Sequence, residues 1–463
     1  MRKLLYLFLI LSLAFLVACG GSDTPGVAPA DTQVDTADTA PEPAEETAAE
    51  PVAETAPEPA AESGEQPVNL TMMLVDYIPD VTDVWLEEEV VPAFQEEYPH
   101  INVEFVYVNW GTLDETVQGY FAAGSGADII NLGSEYIAEY GDRLAPLNSY
   151  MADWGELDAF VPATMDTVTW DGDVRGLPWL TAPRAVMCRQ DLLEETGFDG
   201  PPTTLSEALA QAEAGTIIES NTLVRQGYDA DGMLNNWQEY VALLWSLGGD
   251  LYHEDGRPAF DTPEAKAALE FMYERRKAIL PSDTIAGLPE ATGSRLATDE
   301  VVCQWGNLWG APPTGDPMWD NIVLSPGFTS DAFPNSRPVV QVFNDWLAIP
   351  AYSPHVTEAT TFLQFLGSAE NMNAYNAQFG SFPPRRDAWF GFVEDPIMQE
   401  MGALMDEYGQ GFADVRETAQ FRDILVAEID AYFSDLQDVD TTLANIQQDY
   451  TAVLQNAGRI AGN

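Results

Sequence analysis

Asn69–Val75 (NLTMMLV), Ile101–Val108 (INVEFVYV) and Ala127–Leu132 (ADIINL) are three short apolar runs, and the segments between them decide the fold. Each run has the length and β-branched or apolar content of a buried strand. Between the first two, Val84, Leu86, Val90, Val91 and Phe94 alternate with Glu87, Glu88 and Glu89, the pattern of a one-sided helix. Asp83 is placed to cap that helix over Val84–Tyr98; Pro92 predicts a kink or a late start, and Pro99 a stop. Leu113–Ala123 reads as a second helix, ended by Gly124-Ser125-Gly126. Strand, helix, strand, helix, strand implies an α/β sheet, mainly parallel, with helices on both faces. In such sheets ligands sit at the carboxyl ends of the strands.

Outward from this core, Val68–Asn463 spans roughly 400 residues, room for about two domains. Upstream, Gly20–Pro67 is rich in Ala, Pro, Glu, Thr and Asp and has no Lys, Arg or aromatic residue. It cannot bury enough apolar surface to offset its ordering entropy. It therefore reads as an extended spacer, with an acidic partner-binding tail as the rival reading. The first residues, Met1-Arg2-Lys3 and the apolar run Leu4–Ala18, form a secretory signal. At about fifteen residues the run is shorter than a spanning helix. Leu16-Val17-Ala18-Cys19 resembles the lipobox of bacterial lipoproteins, which implies that Cys19 is lipidated. The expectation is export, with anchoring at the outer face of the cytoplasmic membrane.

The chain has 19 Lys plus Arg against 75 Asp plus Glu, a net charge of −56. Nucleic acid and anionic lipid both need basic contacts, so neither is expected as a partner; the membrane is met through the lipid alone. Lys3, Lys266 and Lys277 are the only lysines. Only His100, His253 and His355 are present, none near a cysteine in sequence. Zinc is therefore not expected, and no cofactor is. There is no Gly-x-Ser-x-Gly, His-Glu-x-x-His or Gly-x-x-x-x-Gly-Lys motif, so catalysis has little support. Carboxylates are too numerous for any one pair to mark a glycosidase.

A series of local motifs, in order, resembles the extracellular solute-binding proteins of ATP-binding-cassette importers, in particular the sugar-binding group that includes maltose-binding protein. Phe94-Gln95-Glu96-Glu97-Tyr98-Pro99-His100-Ile101-Asn102-Val103-Glu104 resembles F-E-x-x-x-P-G-I-K-V-E, and Ala122–Ile129 (AAGSGADI) resembles A-A-G-x-x-P-D-V. Leu144-Ala145-Pro146-Leu147, Arg175-Gly176-Leu177-Pro178-Trp179, Leu247-Gly248-Gly249-Asp250, Phe260-Asp261-Thr262-Pro263-Glu264-Ala265 and Phe379–Arg385 (FGSFPPR) follow in the family's order.

The resemblance implies two α/β lobes, a periplasmic-binding-protein fold, with a hinged cleft between them. It divides the chain into a signal over 1–18, a lipid-anchored acidic linker over 19–67, lobe 1 over 68–181 and 324–380, and lobe 2 over 182–323 and 381–463. Hinge crossings are expected near Trp179–Pro183, Val323–Pro326 and Gly380–Pro384, where Pro and Gly cluster. The implied function is capture of a carbohydrate without turnover, by a monomer that delivers it to importer permease subunits. A cationic solute such as a polyamine is the alternative ligand, and a secreted glycoside-active enzyme the alternative class.

Sugars need aromatic plates for their C–H faces and carboxylates, amides or arginines for their hydroxyls. Trp110, Trp237 and Trp309 are expected as rim plates, joined by Tyr77, Trp179 and Trp346. Asp76, Asn109, Asn236, Gln238 and Asp345 are the expected hydroxyl partners. Phe421 matches a late aromatic near the family's cleft. Trp85, Trp154 and Trp245 read as core or cover, and Asp128 as a structural cap. Arg385 either pins the hinge or touches solute; Arg184 either reaches a solute hydroxyl or carboxylate or pairs with an acid. By the resemblance, the strands carrying Cys188 and Cys303 lie close in one lobe, where the two cysteines form either a disulfide or two buried thiols.

Overall fold

The computed structural model describes residues 66–229, 236–282, 284–289, 294–308, 316–378, 381–389, 395–412 and 414–461. Twelve strands are present among them: β1 (Val68–Val75), β2 (Ile101–Val108), β3 (Ile129–Gly133), β4 (Thr169–Trp170), β5 (Asp173–Val174), β6 (Gly176–Arg189), β7 (Ile217–Glu219), β8 (Thr222–Tyr228), β9 (Val301–Gly306), β10 (Ile322–Ser325), β11 (Val340–Ala348) and β12 (Gly409–Gly411). Ten of them run in the order β2-β1-β3-β11-β6-β9-β8-β7, with β10 also on β6 and β12 also on β11. Flanking helices complete a two-lobed α/β fold.

The three opening strands behave as their sequences predict. β1 lies between β2 and β3 and is parallel to both, with Val68 opposite Ile101 and Met72 opposite Ile129. The helix after β1 runs as Thr82–Trp85, a π-helical turn Leu86–Val90, and Val91–Glu97. Pro92 falls in the first turn of the last segment, where a missing N–H is tolerated. The discontinuity is absorbed by a wide turn just before the proline rather than by a break. Asp83 does not cap this helix: Val81 holds that position, and the Asp83 carboxylate accepts only from the adjacent Val84 N–H, at 2.9 Å. The next helix begins at Trp110, three residues before the expected Leu113, because Asn109 and Thr112 cap it reciprocally. Gly124 ends it in the left-handed conformation, φ 63°.

β6 joins the lobes. All fourteen of its residues are buried. Its first half is antiparallel to β11, from Gly176 opposite Ala348 to Arg184 opposite Gln341. Its second half is antiparallel to β9 and β10. A register shift between Asp345 and Trp346 leaves Trp179 as the extra residue opposite them, and such bulges bend a strand locally. A later return is pinned to β6 by two backbone hydrogen bonds between Thr181 and Phe382, 3.0 and 3.2 Å; Gly380 lies outside the described residues.

Cys188 and Cys303 are directly opposed on β6 and β9, and their sulfurs are bonded, with Cα atoms 4.1 Å apart. Several buried arginines are paired with carboxylates. Arg275 donates twice to Glu239, both at 2.7 Å. Arg385 is held by Glu156, Asp387 and the Gly367 carbonyl, so it pins the chain beside the returning segment. Asp128 accepts from the Thr71 N–H and the Ser353 hydroxyl, a structural brace.

Candidate functional site in the interlobe seam

The carboxyl ends of β1, β2 and β3 meet at one edge of the first lobe. Asp76 follows β1, accepting from the Thr82 hydroxyl at 3.3 Å. Burial, and then the neighbouring Asp83 charge, raise its pKa above the ordinary carboxylate range. Tyr77 meets Trp110 edge-on at 6.4 Å. Trp110 stays 41% exposed in the first turn of its helix, an accessible apolar plate. The Asn109 oxygen is engaged by the Gly111 N–H at 2.9 Å, so the helix start uses the acceptor expected for a solute. Glu135 follows β3. Its backbone carbonyl accepts from the Thr418 hydroxyl at 2.9 Å, at the start of the helix Thr418–Phe433. Desolvation raises the pKa of its carboxyl, against the pull of Arg184 and then Arg422.

One face of β11 and β6 carries the second half of the site. Side chains alternate along a strand, so Gln341, Phe343 and Asp345 share a face, and Arg184 joins them as the residue opposite Gln341. The Arg184 guanidinium lies 3.6 Å from the centre of the Phe343 ring and 5.5 Å from Trp305, and donates to the Gln238 side chain. Burial lowers its pKa to about 9, with Glu135 opposing the shift; it is still a cation at neutral pH. Asp345 is 8% exposed, and burial pushes its carboxyl well above the usual range. Its Oδ2, the Arg184 Nε and both amide atoms of Gln341 have no hydrogen-bond partner in the protein. Buried polar atoms in that state are rare and each requires an explanation. Beside them Trp179 packs on Tyr375 at 4.2 Å, and Trp85 on Tyr375 at 5.9 Å. Burial raises the pKa of the Tyr375 hydroxyl, and the charges of Asp345 and then Asp76 add to it, so the mid-strand Asp345 and the strand-end Asp76 both act on this aromatic group.

The structure thus groups Asp76, Tyr77 and Trp110 at the strand ends, and sets Gln238 and Asp345 by the shared face of β6 and β11 with the enclosed Trp179 nearby. It does not bring Trp237 or Trp346 to a rim. Trp237 is 2% exposed and wedged between Phe412, at 5.5 Å, and Phe421, at 5.8 Å. The helix Asn236–Ser246 already begins at Asn236, which turns Trp237 inward instead of leaving it on a loop. Phe421 is buried in the same core. Trp346 lies on the opposite face of β11 from Asp345, and its indole N–H donates to the Gly133 carbonyl at 2.8 Å. Asn236 is at the helix start; Trp309 lies outside the described residues. Trp85, expected as cover, is half-buried against Tyr375, and Trp245 is core.

Glu135, Gln341 and Tyr375 were not legible as candidate residues, whereas Phe343 falls in the stretch Phe343-Asn344-Asp345-Trp346 that the sequence marks. Glu135 had a signal, since it follows its strand as Asp76 and Trp110 follow theirs. Gln341 had none, because only the pairing of β11 with β6 sets it beside Arg184. A groove of about 610 Å³ lies between the helices Pro263–Ile279 and Val439–Asn456 and includes none of the seam residues. Among the described residues no group of three His, Cys, Asp or Glu side chains is placed to hold a metal ion.

Comparison with known proteins bears on this arrangement. A putative binding protein of Brucella abortus is 28% identical over 186 residues, 40% of this chain and 44% of that protein. The matched region thus spans less than half the length of this relative. An arabinooligosaccharide-binding protein of Halalkalibacterium halodurans is 21% identical over 357 residues, 71% of this chain and 74% of that protein. The solved structure of maltose-bound MalE3 from T. maritima superposes with a TM-score of 0.63 at 24% identity, covering 84% of this chain and 100% of that one; it shares the fold. The model of the bacterial extracellular solute-binding protein family matches residues 79–373. With the strand-end residues and the two-lobed sheet in place, that match, over more than half of the sequence, makes the chain a member of the bacterial extracellular solute-binding protein family.

Proposed function

We propose that the protein captures a carbohydrate between its lobes and delivers it, without chemical turnover, to an ATP-binding-cassette importer. The observation that carries this reading is the shared face of β6 and β11. Buried donors and acceptors on Arg184, Gln341 and Asp345 lack protein partners there and lie beside aromatic rings. A polyhydroxylated, weakly apolar ring satisfies both requirements at once. We assign solute contacts to Asp76, Tyr77, Trp110, Gln238 and Asp345, joined by Arg184 and Gln341. The names of the arabinooligosaccharide-binding and maltose-bound relatives support a sugar. Lobe 1 is 68–181 with 324–380, and lobe 2 is 182–323 with 381–463. The protein acts as a monomer.

Solute that touches both lobes gains its full contacts only in the compact form and so shifts the population toward it. Small-angle scattering with arabinotriose or maltotriose is expected to show a smaller radius of gyration at saturation. A profile unchanged by a sugar that demonstrably binds would sink the hinged-capture reading. The unpartnered Asp345 carboxylate is the one feature that favours a polyamine. The Arg184 cation on the same face opposes it, and thermal melting with spermidine beside the sugars separates the two, since a ligand bound by the folded state alone raises the midpoint.

The anchor belongs to the same proposal. Residues 1–18 direct export, Cys19 carries lipid, and 19–67 is the spacer. Stable anchoring needs more than one acyl chain or a second signal. Cys19→Ser is expected to move the protein from the membrane fraction to the soluble one; equal retention of both forms defeats the lipoprotein assignment.

A further inference from the structure

Four arginines are nearly fully buried: Arg184, Arg189, Arg275 and Arg385. Three are neutralised by carboxylates of the protein. Arg189 pairs with Asp191 at 2.7 Å and Asp299 at 2.8 Å, Arg275 with Glu239 at 2.7 Å, and Arg385 with Glu156 and Asp387, both at 2.7 Å. Arg184 is 6% exposed and has no such partner. Its contacts are the neutral Gln238 amide and the faces of Phe343 and Trp305, and its Nε–H has no acceptor. Glu135 acts on it only through the longer-range field, and shares that field with Arg422. The chain has 75 acidic residues, so carboxylates are not scarce, yet none makes a direct ion pair with Arg184. An uncompensated buried cation is costly, and a guanidinium is best matched by a two-pronged carboxylate.

From this we infer that the captured solute is an acidic oligosaccharide whose carboxylate pairs with Arg184. The inference rests on the carbohydrate reading and narrows it. Arg184 is held by groups from several elements at once, namely Phe343 on β11, Trp305 on β9 and Gln238 on the helix Asn236–Ser246. An anion there would join the elements that meet at the crossing of β6. The Arg184 guanidinium lies over the Phe343 ring, and Phe343 is two residues along β11 from Asp345, roughly 7 Å by strand rise. That spacing lets a carboxylate-bearing unit at Arg184 set a hydroxyl of that unit or of its neighbour at Asp345. Asp345, held toward its protonated form by burial, meets a hydroxyl without repelling the solute's charge.

The test uses the purified full chain with digalacturonate and dimannuronate, the methyl ester of each, and spermidine. At least one acid is expected to bind about 10-fold or more tighter than its ester, the loss expected for a charged hydrogen-bonded contact. Arg184→Gln is expected to erase the difference while melting no lower than the wild type, because it removes a buried unpaired charge. Arg184→Lys keeps part of the preference, having charge without the fork. Acids and esters bound equally by the wild type overturn the inference and leave the carbohydrate reading standing, and this comparison needs no variant. An Arg184→Gln protein that keeps the acid preference also overturns it. Binding of spermidine with none of the sugars overturns both.

Discussion

Removing the bond between Cys188 and Cys303, in the Cys188→Ala/Cys303→Ala variant, is expected to lower the unfolding free energy by about 3–5 kcal/mol. The two residues are 115 apart in sequence, so the bond denies the unfolded chain a large set of open-loop conformations. Both cysteines are fully buried on adjacent strands, and alanine leaves no new polar group in the core. Their place on β6 and β9 ties together two neighbouring strands of the sheet. Urea unfolding of both proteins measures the difference as a shift in midpoint, with the slope checked for a more expanded unfolded state. A loss below about 1 kcal/mol would overturn the prediction. So would two reactive thiols on wild-type protein denatured without reductant. Burial also predicts that reductant acts slowly on the native protein and quickly in denaturant.

Trp237→Ala is expected to cost about 3–5 kcal/mol of stability and to leave solute affinity near that of the wild type, measured well below the melting transition. The indole is enclosed by Phe412 and Phe421, and Phe421 packs in turn on Tyr450 at 4.8 Å. Its removal therefore opens a cavity where the helix Asn236–Ser246 meets the helices Thr418–Phe433 and Val439–Asn456. Trp110→Ala gives the opposite signature. That side chain is 41% exposed, so its loss changes stability by about 0.5 kcal/mol or less and weakens binding. A Trp237→Ala protein that melts like the wild type but binds poorly would restore Trp237 to the rim and move the cleft.

Local patterns carried far in this chain. The strands β1, β2 and β3 are short and strongly apolar, and the helices between them carry their own stop signals at Pro99 and Gly124. Such signals act over a few residues, so their reading needed no knowledge of partners. Helix starts were less legible. Asn109 and Thr112 form a cap that is visible in sequence, yet the apolar run alone placed the start at Leu113. At Asn236-Trp237-Gln238 the same misplacement turned a core tryptophan into an apparent rim plate. In the candidate site, Asp76, Tyr77 and Trp110 were legible because a parallel sheet presents its ligands where strands end.

Composition and local periodicity by themselves determined the α/β character of the body, its acidic charge and the strand-end position of part of the candidate site. Only the tertiary structure decided which faces meet. It paired β6 with β11, and so set Arg184 and Gln341 side by side although they are far apart in sequence. It separated Asp345 from Trp346, adjacent residues that a strand sends to opposite sides. It also left Arg184 without the carboxylate that every other buried arginine has. Pairing, register and burial are properties of the assembled sheet, and a residue's own neighbours in sequence do not contain them.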